Sequence, residues 1–307
     1  MSRLPDARTS NTLPQAEPDQ EQARLPLRVR IGRALRETPS LTVGLVLVGL
    51  HIVLALLAPW LTPYSATLST PEMALYGPNS EHWLGTDQYG RDVLTRTLHG
   101  GRYALRVAVL ATTVAVALGT LIGVMSAYLR GAFDMVVMRI VDAMLSIPTI
   151  LSMLVIVTVF GNGLPVIVLA VTIIYTPAVT RVVRGAASSV VPLDFVTAAR
   201  ARGENAFSIV FREILPSIPG VILVEYAMRA SWVILLVSTL SFLGFGANPP
   251  TPDWGLMISE GRTALTVVPM ATIAPIVALA TLVIGMSSLA DGLTSRLGVD
   301  RLQRGAA

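Results

Sequence analysis

Six apolar stretches separated by polar segments set the pattern of the chain. They occupy residues 41–60, 104–129, 137–160, 164–180, 218–243 and 267–289. Each approaches the roughly 20 apolar residues that carry a helix across a hydrocarbon layer. A backbone in lipid satisfies its own N–H and C=O groups only as a helix or a closed barrel. The pattern therefore predicts an all-α integral membrane protein with six transmembrane helices. Two spans are irregular. The third opens on "FDMVVMRIVDAM", where Asp134, Arg139 and Asp142 interrupt the apolar run. The fourth stops at Arg181 and contains Pro177, which is expected to kink it. Six crossings place both ends of the chain on one side.

The polar segments carry patterns of their own. Residues 1–40 are rich in Pro, Gln, Asp, Glu and Arg and read as a disordered tail. Within it "RLPLRVRIGRALRE" (24–37) interleaves arginine with Leu, Val and Ile, which suits a basic segment on an anionic membrane surface or a plain tether. The run at 41–60 is too long for a cleaved signal. In the 61–103 segment, "GTDQYGRDVLTRTLHGGR" (85–102) predicts a short amphipathic helix over 87–99, begun by Thr86 or Asp87 and ended at Gly100. Its wheel groups Tyr89, Val93, Leu94 and Leu98 on one arc and Arg91, Asp92, Thr95, Arg96 and His99 on the other. Resting on its apolar arc, such a helix turns its arginines to water or to a partner. Further on, Pro250 and then Asp253 lead into a helix from Trp254, either a lid or an ordinary loop with an interfacial tryptophan. Glu225 and Arg229 stand four apart inside the fifth span. Ions there are functional candidates, and an intrahelical pair explains them as well.

One polar stretch, "DFVTAARARGENAFSIVFREILPS" (194–217), sits between the fourth and fifth spans. Asp194 is placed to cap about two helical turns, Gly203 to end them, and Asn205 to cap a second helix. There Phe207, Val210, Phe211 and Ile214 fall at i, i+3, i+4 and i+7, one apolar face. Two short helices meeting at a glycine, with Ala198 and Ala199 allowing close approach, fit a helix-in-groove contact with another protein. They equally fit helices resting on the inner leaflet.

Composition narrows the function. Of 307 residues, 53% are hydrophobic and 14% charged, and mean hydropathy is +0.65, whereas soluble domains carry about a quarter charged residues. Cysteine is absent, which excludes disulfides, thiolate metal sites and a cysteine nucleophile. Lysine is absent too, so there is no phosphate-loop lysine and any ATP is hydrolysed by another chain. The net charge of +4 fits orientation in a membrane and not nucleic-acid binding. Seventeen arginines lie in the tail, the 130–139 turn, the 181–212 loop and the C-terminus, against five on the other side, which predicts cytoplasmic termini. The arginines at 91–106 run against that bias.

Three stretches, "HWLGTDQYGRDVLTRTLHGGR" (82–102), "DFVTAARARG…REILP" (194–216) and "STLSFLGFGANPPTPDWGLMISEGR" (238–262), resemble the second permease subunit of ABC importers of the dipeptide/oligopeptide/nickel family. With the six-span layout the resemblance covers residues 41–298. It implies a type I ABC importer permease fold with a cytoplasmic coupling helix, a transmembrane domain over 104–291 and a cytoplasmic C-terminus from 292 to 307. It marks Asp194, Thr197, Ala198, Ala199, Arg200, Gly203, Phe207, Phe211, Leu215 and Pro216 as ATPase-coupling residues. Thr197 departs from the family's leading glutamate. Asp87, Arg91, Asp92, Arg96, Pro250, Asp253 and Trp254 become extracytoplasmic contacts to a binding protein or parts of a lid. The implied partners are a second permease, two ATPase subunits that bind ATP and Mg, and an external solute-binding protein in the inner or plasma membrane system. This chain itself would hold no cofactor, metal or catalytic residue. Dipeptides, longer peptides, nickel complexes and other small solutes all suit a permissive cavity. Two other classes compete. A proton-coupled transporter wants titratable groups near the midplane, where His51 is the only intraspan histidine. An intramembrane protease wants paired aspartates or a serine–histidine set inside the bilayer, and the aspartates here sit near span ends.

Overall fold

A computed structural model describes residues 38–297, so the tail before residue 38 and the C-terminus after 297 lie outside the described residues. Ten α-helices follow: α1 (Pro39–Leu61), α2 (Val93–Leu129), α3 (Gly131–Leu145), α4 (Thr149–Phe160), α5 (Leu164–Val190), α6 (Asp194–Ala201), α7 (Ala206–Ile209), α8 (Pro219–Phe242), α9 (Trp254–Gly261) and α10 (Met270–Leu297). Among the described residues the nearest thing to a strand is a single bridge between Thr86 and Asp92. Five helices, α1, α2, α5, α8 and α10, are each long and apolar enough to cross a membrane. The pair α3–α4, bent by 85°, brings the total to six where it is counted as one broken span. Chain direction alternates, so residues 62–92 and 243–269 form a cap at one end. The α2–α3 turn and residues 191–218 lie at the other.

The bundle is organised by a seam on α2. Ala111, Ala115, Gly119, Gly123 and Ala127 recur every fourth residue, and all are buried. Facing them on α5 are Val179, Val183 and Ala187. A Cβ added to Gly119 would lie 2.6 Å from Cβ of Val179, and one on Gly123 would lie 2.7 Å from the Thr180 carbonyl oxygen. Helices in lipid gain nothing from excluding water, so close backbone approach through small residues supplies the attraction. The first and last spans, α1 and α10, pack against each other on the outside of this core.

Three boundaries differ from the sequence expectation, each for a local reason. The second span begins at Val93 and not at 104, because Asp92 accepts the Thr95 N–H and α2 runs straight through Gly100 and Gly101. Those glycines admit a tryptophan and do not end a helix: a Cβ on Gly100 would lie 2.8 Å from the Trp254 ring. The amphipathic helix expected over 87–99 is thus the first turns of a span, and residues 87–91 precede it as a loop. The third span breaks at Ser146–Pro148, where proline withholds a donor. The fourth continues past Arg181 to Val190. Its arginines are neutralised sideways, Arg181 by Asp142 and Arg184 by Asp134 of α3, so charge does not end the helix. Pro177 lies inside the continuous helix.

Gly123→Val should lower the unfolding temperature in detergent by the equivalent of about 1–3 kcal/mol, since its methyl groups meet a backbone oxygen that cannot step aside. Gly49→Ala, where an added Cβ meets nothing within 4 Å, should be neutral or stabilising by up to about 1 kcal/mol. Equal melting of the two variants would show that the α2–α5 seam tolerates extra volume.

Candidate functional site

At the end opposite the cap, α6 and α7 form a hinged pair. Leu193 precedes α6 without a side-chain cap, so Asp194 is not the cap expected; it lies in the first turn, where its charge faces the positive helix end. The helix ends in a Schellman arrangement: the Gly203 N–H donates to Arg200 O at 3.0 Å and the Glu204 N–H to Ala199 O at 3.3 Å. Gly203 takes φ +76°, which only glycine adopts without strain. Asn205 then accepts the Ser208 N–H at 2.7 Å and starts α7. Glu204 bonds Arg202 at 2.7 Å and the Ser208 hydroxyl at 3.1 Å. The Arg202 guanidinium holds its carboxyl below the usual range.

The apolar residues of this pair divide between core and surface. Val196, Ala199, Ile209, Val210 and Ile214 join Val124 and Ala127 of α2 and Val183 and Ala187 of α5 in one core. Arg200 lies 4.7 Å over the Tyr128 ring of α2, a cation–π contact. Thr197, Ala198, Arg200 and Pro216 are exposed and Leu215 is half-buried. The single apolar face expected from Phe207, Val210, Phe211 and Ile214 is split: Val210 and Ile214 point in, Phe207 and Phe211 point out. A π-helical turn over Val210–Ile214 shifts the register that a 3.6-residue period assumes. The two phenylalanine rings lie tilted against each other with centroids 4.3 Å apart, and Phe207 is 68% exposed. Burying a phenylalanine gains about 1.5–3 kcal/mol, so this pair leaves apolar area that a covering surface would stabilise.

The cap end corrects the sequence reading. Asp87, Arg91, Asp92, Arg96, Asp253 and Trp254 are all buried, not turned to water. Arg91 donates to Asp87 and to Glu260 at 2.7 Å each. Arg96, 0% exposed, stands 3.5 Å from Asp87 and 3.7 Å from Glu260. It donates to the carbonyls of Ala66 at 2.9 Å and Pro250 at 3.2 Å. Two arginines and two carboxylates cancel, which is why this cluster can oppose the charge bias. Asp92 caps α2 and also accepts from His82 Nδ1 at 2.9 Å. Trp254 donates its indole N–H to Thr97 O at 2.8 Å. Asp253 caps α9 by accepting the Leu256 N–H at 3.0 Å, and burial pushes its carboxyl up to about 6. These residues clasp four segments together. Glu260 and His82 were not foreseen as members; only an acid or base beside unpaired arginines could have pointed to them.

The fold is that of an ABC transporter permease. A solved inward-facing structure of the MetNI methionine ABC transporter superposes with a TM-score of 0.51 at 18% identity, covering 70% of this chain and 96% of that one. The family model described as binding-protein-dependent transport system inner membrane component matches residues 119–299. The chain is 36% identical over 275 residues to the glutathione transport system permease protein GsiD of Pectobacterium atrosepticum, covering 89% of this chain and 91% of that protein. It is 35% identical over 265 residues to the dipeptide transport system permease protein DppC of Alkalihalophilus pseudofirmus, covering 86% and 87%. The chain therefore belongs to the family of binding-protein-dependent transport system inner membrane components, multi-pass permeases of ABC importers.

The clasp yields a pH prediction. Asp253 binds its proton more tightly folded than unfolded, so stability is fully present below about pH 4 and falls as pH rises toward about 6. Asp253→Asn keeps the capping acceptor and removes the charge. Thermal melts from pH 4 to 7 should show that decline flattened in the variant. An unchanged slope would mean that Asp253 is ionised at no cost in the native state.

Proposed function

We propose that this chain is one of two permeases in an ATP-driven importer for small peptides, and that residues 194–217 couple it to a cytoplasmic ATPase. The observation that carries the reading is the hinged pair: a rigid, Schellman-clasped base fused to the α2–α5 core, presenting Phe207 and Phe211 outward. Such a knob fits a groove in a partner. Asp194, Thr197, Ala198, Arg200 and Pro216 frame its exposed surface. Two ATPase subunits carry ATP and Mg and perform the hydrolysis; this chain contributes no catalytic group. Closure of the ATPase pair would carry the knob, and with it α2 and α5, between two packings. ATP biases that equilibrium.

The remaining assignments follow from this one. The hinged pair and both ends of the chain face the cytoplasm, and the cap faces outward to receive a solute-binding protein. The buried clasp shapes the docking surface from behind, and contact falls to exposed cap residues such as Tyr89 and Trp83. GsiD and DppC, named for glutathione and dipeptides, make a small peptide the favoured cargo. Family membership leaves the proton-coupled alternative without support.

Gly203→Val tests coupling cleanly, because a Cβ there meets nothing within 4 Å and the whole effect is the cost of positive φ, about 1–2 kcal/mol. Peptide uptake and substrate-stimulated ATPase activity of the reconstituted importer should both fall while membrane insertion persists, with Gly203→Ala milder. Parental transport by the valine variant would remove the hinge from the mechanism. Orientation is testable on the cysteine-free background. Ser80→Cys should react with an impermeant thiol reagent in spheroplasts, and Arg202→Cys only after lysis. The opposite labelling would invert the topology.

A further inference from the structure

One intramembrane ion pair has no part in the packing or the coupling described above. Glu225 and Arg229 lie on α8, with Arg229 Nε donating to Glu225 Oε2 at 3.0 Å and side-chain exposures of 5% and 16%. Arg229 is ten residues into the helix, about 15 Å from its start, which is mid-depth in a hydrocarbon core about 30 Å thick. Glutamate preceding arginine by four residues is the favourable order, yet such pairs stabilise a helix by only about 0.2–0.5 kcal/mol. Placing either charge at the centre of a membrane costs about 2.5–3.5 kcal/mol on insertion scales. Helix stability therefore does not explain the pair.

The surroundings give it a direction. A largely apolar groove of about 780 Å³ runs between α2 and α8, from Phe211, Leu215 and Pro216 at the hinged pair to Thr113 and Tyr226. Sites for small ligands span roughly 300–1,000 Å³. The Tyr226 and Thr113 hydroxyls meet at 3.2 Å across the groove. Arg229 lies one turn further along α8, on the same face as Tyr226, and Tyr175 of α5 is within electrostatic reach. Only Nε of the guanidinium is engaged among the described residues. Its two terminal nitrogens, the fork that matches a carboxylate, take no partner there.

We infer that Arg229 binds the carboxylate of the cargo at mid-membrane, and that Glu225 is a positioning residue that fixes the fork. The ligand class is a small solute with a free carboxylate, such as a peptide C-terminus. The inference rests on the importer reading. It gives this chain a selective role of its own beyond delivery by the binding protein.

The test uses the complete importer in proteoliposomes, with its binding protein saturated by a radiolabelled dipeptide or by the C-terminal amide of that dipeptide. The parent should import the free acid at least tenfold faster than the amide. Arg229→Gln should bring the two rates together by slowing the acid. The charge-swapped double variant, E225R with R229E, keeps an ion pair and should still co-purify with the ATPase subunits, yet lose at least tenfold in acid uptake. Parental uptake by the swapped variant, or equal parental rates for acid and amide, would reduce the pair to a structural one. If the swapped variant does not assemble, the neutral pair E225Q with R229Q decides by the same criterion. A parent that imports neither compound would instead overturn the peptide-importer reading, and the two failures are thereby distinct.

Discussion

Charge neutralisation inside an apolar bundle is the constraint on which the structure depends. Water is not present to compensate an unpaired ion, and removing one partner of a buried pair costs about 3–5 kcal/mol. The chain meets this in three ways. At the cap, Arg91 and Arg96 share Asp87 and Glu260, drawn from segments far apart in sequence. At the other end, Asp134 of α3 meets Arg184 of α5 in a part-buried pair. The Asp142–Arg181 pair beside it, more than half exposed, is a weaker, solvent-screened link. Both accompany α5 as it runs on as helix beyond the apolar stretch. Between them, Glu225 and Arg229 satisfy each other in part along one helix. The first two join elements and so determine architecture. The third joins nothing, and that difference separates it from the structural pairs.

With charges matched, shape determines the rest. The small residues of α2 bring α5 into backbone contact, and the core they form continues without interruption into α6 and α7 through Val196, Ala199, Ile209 and Ile214. A core packed at crystal-like density transmits displacement and does not absorb it. The segment at 194–217 is thus a protruding part of the bundle and not a loop attached to it. The Arg200–Tyr128 contact adds a second fastening to the same helix.

Much of this was legible in the sequence, and the misreadings share a cause. Six apolar runs marked the candidate spans, and Gly203 and Asn205 marked the junction between α6 and α7, because length, turn chemistry and capping are local properties. The surface helix at 87–99 was misread because a wheel separates polar from apolar arcs without saying which arc is buried. Arg91 and Arg96 face inward because Glu260, 164 positions beyond Arg96 in chain order, waits there. Gly100 resembled a helix end because nothing local announces that Trp254 fills its missing side chain. The split of Phe207 and Phe211 from Val210 and Ile214 depends on a π turn that no 3.6-residue period reveals. The sequence also carried the period-four row of small residues on α2, a pattern easily passed over because alanine and glycine score as merely apolar or merely flexible.

The length of α2 links these observations. Its 37 residues make a rod about 55 Å long, longer than the hydrocarbon layer, with a fastening at each end. Near its start, Arg96 and the Thr97 carbonyl hold Pro250 and Trp254 of the cap. Near its finish, Val124, Ala127 and Tyr128 hold the hinged pair. Along its middle, Thr113 closes the groove that leads toward Arg229. α2 has no proline in its interior, so nothing of the kind that sharply kinks a helix interrupts it. On the coupling proposed above, a displacement at the hinged pair would be carried along it. The cap residues and the groove wall held by α2 would then shift with it. One helix thereby connects the three places where a partner, a cargo carboxylate and an incoming solute would act, which gives a physical reason for its crossing the membrane unbroken while α3–α4 bends.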